Sequence, residues 1–69
     1  MKNIYKIHGA IKNSQLEKLK KSYEIIECET YLKSSIVTFY YETNNYLYDA
    51  EMYLRSEYEG ISISDMIPV

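Results

Sequence analysis

The chain has 69 residues, a formal net charge of −2, 46% hydrophobic and 26% charged residues, and one cysteine. That balance excludes a disordered tail, and a lone cysteine excludes an intramolecular disulfide. No continuous apolar run follows Met1-Lys2-Asn3-Ile4-Tyr5-Lys6, so neither a signal peptide nor a membrane span is expected.

The length fits a single domain, 1–69, in the cytoplasm. A core of this size supplies only about 3–5 kcal/mol of net stability, so a partner or a second copy would add to it. Lys, Ile, Tyr, Asn and Glu are abundant while Ala, Gly, Pro and Arg are scarce, the bias of AT-rich coding in a low-GC bacterium, its phages or its plasmids.

Residues 2–11 alternate, with Tyr5 and Ile7 on one side and Ile4, Lys6 and His8 on the other, which predicts a half-buried strand. Asn13 and Ser14 are cap formers, and Ser14 with Glu17 has the spacing of a capping box. Leu16, Leu19 and Tyr23 then recur at steps of three and four, predicting an amphipathic helix that ends near Tyr23. Over residues 25–32 period two returns: Ile26, Cys28, Thr30 and Leu32 are expected to face the core, and Ile25, Glu27, Glu29 and Tyr31 the other side. Lys33-Ser34-Ser35 suits a hairpin connection. Residues 36–42 are β-branched and aromatic, with Val37, Phe39 and Tyr41 opposed to Ile36, Thr38 and Tyr40. Thr43-Asn44-Asn45 predicts the start of a second helix, whose stripe is Leu47, Ala50, Leu54 and Tyr58. Gly60 stands where a left-handed C′ glycine is expected. Ile61 and Ile63 alternate with Ser62 and Ser64 in a last strand, which Pro68 ends.

Strand, helix, strand, strand, helix, strand is the α+β, ferredoxin-like βαββαβ order: a four-stranded antiparallel sheet with both helices on one face. The expected core is Tyr5, Ile7, Leu16, Leu19, Ile26, Cys28, Val37, Phe39, Leu47, Ala50, Leu54, Ile61 and Ile63.

Catalytic residues are not visible. Nucleophilic catalysis needs a nucleophile, a base and a group that orients the base. His8 is the only histidine and Cys28 the only thiol, and the alternation puts them on opposite sides of the sheet. No enzymatic activity, no metal and no cofactor are expected: two Cys or His residues cannot make a four-ligand zinc site, and no phosphate or dinucleotide loop occurs. Ferredoxin-like metallochaperones carry paired cysteines in the first loop, which here is Gly9-Ala10-Ile11-Lys12-Asn13. RNA-recognition domains stack bases on aromatics of the central strands. Here the first strand has no aromatic on the open face, and Glu27, Glu29 and Glu42 would repel phosphates, which argues against direct nucleic-acid binding.

Charge and tyrosine content point instead to a protein partner. Residues 1–21 hold six lysines against Glu17, whereas residues 22–69 hold Lys33 and Arg55 against nine acids. Glu42, Asp49, Glu51, Glu57 and Glu59 lie on or beside the second helix, and carboxylates so spaced suit a basic surface and can imitate nucleic-acid phosphates. Nine tyrosines exceed what so small a core needs, and Tyr46, Tyr48 and Tyr53 are expected as interface anchors. Self-association is the alternative, through an open sheet face of Ile4, Ile25, Tyr31, Ile36 and Tyr40.

In size, acidity, AT-rich composition and the helix stretches Asn-Asn-Tyr-Leu-Tyr and Tyr-Leu-Arg-Ser-Glu-Tyr-Glu, the chain resembles small phage-encoded inhibitors, anti-CRISPR proteins among them. The resemblance implies a non-enzymatic module that engages a host protein with a basic nucleic-acid-binding surface, in some cases by DNA mimicry.

Overall fold

The computed structural model describes residues 2–69. Six elements follow in order: β1 (Asn3–Lys12), α1 (Asn13–Ser22), β2 (Ile25–Thr30), β3 (Ser34–Thr43), α2 (Leu47–Glu57) and β4 (Ser62–Pro68). All neighbouring strands are antiparallel, in the sheet order β2-β3-β1-β4. Both helices bury residues against one face of that sheet. This is the ferredoxin-like α+β arrangement that the element order predicts.

The two longest strands, β1 and β3, lie at the centre and pair from Asn3↔Thr43 to Lys12↔Ser34. Their alternation sets the core: Tyr5, Ile7 and Ile11 face the helices beside Val37, Phe39 and Tyr41. Leu16 and Leu19 of α1, Ala50 and Leu54 of α2, and Tyr58 and Ile61 complete it. Each fully buried aliphatic side chain contributes roughly 2 kcal/mol. Tyr23, at the end of α1, packs its ring 5.6 Å from Phe39, 5.4 Å from Tyr41 and 6.3 Å from Tyr58. Ile11, absent from the expected core, is buried because β1 runs through Lys12 with its alternation intact.

Three expectations fail locally. Ser14 does not cap α1: the helix starts at Asn13, with Lys12 at the cap and no side-chain cap bond. The Asn13 amide instead donates to the Tyr31 carbonyl at 2.8 Å, and its Oδ1 accepts from Ser35 Oγ at 2.6 Å, so Asn13 fastens the β2–β3 connection to α1. Similarly, Thr43 and Asn45 do not cap α2, which starts at Leu47. Thr43 Oγ1 accepts from the Asn45 N–H at 3.2 Å, and the Asn45 carbonyl accepts from Asn3 Nδ2 at 3.0 Å, tying this turn to β1. Leu47, expected in the core, is exposed in the first turn.

The third failure concerns β2. A register shift at Ile26 pairs Ile25 with Phe39 but Glu27 with Thr38, so Ile25 turns to the helix side and packs on the core. Ile26, expected inside, is exposed at the bulge. Cys28 does face the helix side, opposite Val37, yet it is exposed, since β2 is an edge strand and α1 lies over β1 and β3.

Two glycines have physical reasons. Gly60 adopts φ 79°, the left-handed turn expected after α2. Gly9 lies where the register with β4 shifts, and a methyl group there would run into the Ser62 carbonyl oxygen.

Candidate protein-binding surface

A surface helix normally turns its apolar side inward and a polar side to water. α2 keeps the first half of that rule: Ala50 and Leu54 are fully buried. Its outward side is aromatic and apolar instead. Tyr46, at the cap position, is 80% exposed, Tyr48 84%, Met52 65% and Tyr53 58%. At 100° per residue, Tyr48, Met52, Asp49 and Tyr53 follow one another around the side opposite Ala50 and Leu54. Asn45, Asp49, Met52, Tyr53 and Ser56 line a shallow depression of about 470 Å³ on this side.

The carboxylates are distributed differently from the tyrosines. Asp49, in the first turn, lies in that depression and favours the positive end of the helix dipole. Glu51 is turned to one flank, 3.6 Å from the Arg55 guanidinium. Glu57 lies on the other flank, beside α1, where its carboxylate accepts from Tyr23 Oη at 3.4 Å and its carbonyl from Lys18 Nζ at 2.8 Å. The Lys18 ammonium also stands 4.9 Å over the Tyr58 ring. Glu59 is exposed in the turn after α2. Glu42 is on β3, paired with Ile4 in register and 3.6 Å from Lys2 Nζ, away from the α2 surface. α2 thus carries Tyr48, Asp49, Met52 and Tyr53 on one side, with Tyr46 at its cap, and leaves Glu42 apart. Met52 is missed by sequence reasoning, because a methionine in a helix reads as core until the other side is shown to be full.

Burial pushes the Tyr23 phenol well above the ordinary range, helped by the Glu57 carboxylate and the neighbouring Tyr41 and Tyr58. Tyr41 and Tyr58 are also raised, again chiefly by burial. Tyr31 is raised by its hydrogen bond to Glu29, with Oη donating to Oε2 at 2.8 Å.

On the open sheet face, Ile4, Ile36 and Tyr40 are exposed together with Ile67, but Lys6, His8 and Asp65 are interspersed with them in the register. Tyr31 stands at its margin beside Glu29, and Ile25 is on the other side of the sheet, contrary to expectation. His8 Nδ1 is 2.8 Å from Thr38 Oγ1. Cys28 Sγ lies 3.9 Å from Thr30 Oγ1 on the helix side of β2, so although His8 and Cys28 both border one shallow depression with Glu27, Glu29, Ile36 and Thr38, their side chains project from opposite faces of the sheet. Among the described residues, no group of three or more His, Cys, Asp or Glu side chains could hold a metal ion. Among the described residues, no helix is long and apolar enough to cross a membrane. Comparison with family models, curated proteins and solved structures yields no match to this chain.

Proposed function

We propose that this chain is a non-enzymatic protein-binding module that uses the outward side of α2, and that it acts as a phage or mobile-element inhibitor of the anti-CRISPR kind on a host protein with a basic nucleic-acid-binding surface. The observation that carries this reading is a helix whose buried side is complete while its outward side exposes Tyr46, Tyr48, Met52 and Tyr53. Tyrosine and methionine are enriched in interface cores, and a tyrosine ring covers a large apolar area at little entropic cost. Tyrosine rings and a nearby carboxylate also suit the same partner groups. Lysine and arginine stack over a phenol ring and pair with Asp49. Lys18 over Tyr58 is an instance of the first contact within this chain.

The charge layout favours recognition of individual cations over imitation of a duplex. Glu42 and Glu51 already have cations of this chain beside them. The test is affinity capture from a bacterial host lysate with the wild-type chain and with Tyr48→Ala and Tyr53→Ala. Capture of a nucleic-acid-handling protein, weakened at least about tenfold by either substitution, is expected for anchors worth 2 kcal/mol or more. Retention of the same protein by the Tyr48→Ala/Tyr53→Ala double variant would exclude α2 as the contact surface.

A further inference from the structure

β2 is an edge of the sheet, and among the described residues its outer side has no strand partner. An edge of this kind presents unpaired backbone donors and acceptors to any extended segment. The Tyr31 N–H bonds to the Ser34 carbonyl, so by the alternation of an antiparallel ladder Cys28 and Thr30 direct their backbone groups outward. The other edge, β4, is blunted by a register shift at Ser64, by Asp65 and by Pro68. β2 has no proline and no lysine, and its side chains from Ile26 to Thr30 are all exposed.

Its charges determine what can pair there. Glu27 and Glu29 project on the open face, opposite Thr38 and Ile36. Two copies joined antiparallel through β2, in a register centred on Glu27, Cys28 or Glu29, would always set one glutamate against another. Like charges directly opposite destabilise a strand pair. A segment with Lys or Arg at alternate positions meets the opposite situation, since each cation faces a glutamate while the backbone completes the ladder.

We infer that the β2 edge is a second docking site, which accepts an extended basic segment of a partner protein as a fifth strand, with Glu27 and Glu29 selecting Lys or Arg at alternate positions. The site is separate from α2 and does not depend on it. Main-chain hydrogen bonds would supply affinity and the two glutamates specificity.

Cys28, the only thiol and exposed at the middle of the edge, reports occupancy directly. The probe is a synthetic peptide of about ten residues alternating Lys and Val, long enough to span the strand. At saturation it is expected to slow alkylation of Cys28 at least about tenfold, in proportion to occupancy. A proline at its centre should abolish binding, and the Glu27→Lys/Glu29→Lys double variant should release it and bind a Glu-Val peptide instead. Tyr48→Ala should leave it bound. The inference is overturned if the peptide does not bind, if the proline peptide binds equally, or if Cys28 stays reactive at saturation. It is also overturned if Tyr48→Ala removes binding, or if oxidation without peptide yields Cys28-linked dimers in quantity, since a second copy would then occupy the edge.

Discussion

At the scale of single residues, backbone geometry and hydroxyl accounting make the sharpest predictions. Gly9 has its Cα side closed by the Ser62 carbonyl, which is backbone and cannot swing away. Gly9→Ala must push β4 off β1 at the register shift, and a loss of about 2–4 kcal/mol is expected, the range for overpacking with lost ladder bonds. Urea denaturation checks it, and an unchanged midpoint would refute the close approach. Tyr58 presents the reverse case. Its ring is fully buried, but among the described residues its Oη has no hydrogen-bond partner. A buried hydroxyl without a partner costs about 1–3 kcal/mol, so Tyr58→Phe is expected to be neutral or to stabilise by about 1 kcal/mol. A loss above about 1 kcal/mol would mean that the hydroxyl is bonded after all.

At the scale of elements, each helix and strand is informative about function where it departs from its ordinary pattern. α1 follows the pattern, with Leu16 and Leu19 inward and Lys18, Lys20 and Lys21 outward. α2 does not, and its outward tyrosines and Met52 contribute little to the fold. Tyr48→Ala and Met52→Ala should therefore leave thermal stability within about 0.5 kcal/mol of wild type, as surface substitutions do, while reducing partner capture. Loss of stability comparable to a core truncation would place these side chains in the fold and not in an interface. The edge strand β2 departs by its bulge at Ile26. The shift leaves Glu27 and Glu29 side by side on the open face, as the alternation of residues 27–30 predicts, but moves Ile25 inward.

At the scale of the molecule, a cluster of phenols, Tyr41 and Tyr58 buried and Tyr23 partly so, is expected to couple folding to alkaline pH. Tyr23, Tyr41 and Tyr58 keep their protons above the ordinary phenol value of 10.0, burial being the first cause for each. In the unfolded chain they ionise near pH 10, so above that point the unfolded state sheds protons that the folded state retains. This stability is whole below about pH 10 and falls as the pH rises further. Urea midpoints should be flat between about pH 7 and 9 and decline by about pH 11, less steeply in Tyr23→Phe. A Tyr23→Phe profile parallel to wild type at high pH would remove Tyr23 from the coupling. The residue pattern alone set the element order, and with it the ferredoxin-like fold, because periods of two and of 3–4 are local properties of the chain. It also determined most of the core and the left-handed turn at Gly60, and it marked the tyrosines of the α2 stretch. That Ile25 goes in and Ile26 out emerges only on folding, because a bulge is set by pairing with β3. The same holds for the exposure of Cys28, since which strand lies at an edge is a matter of sheet order. Asn13 and Asn45 fasten turns in place of capping helices, because each meets a group brought beside it only by the fold, Asn13 the Tyr31 carbonyl and Asn45 the Asn3 amide. Met52 joins the exposed tyrosines, and Glu42 leaves them, for the same reason: a face is shared in space and not in sequence.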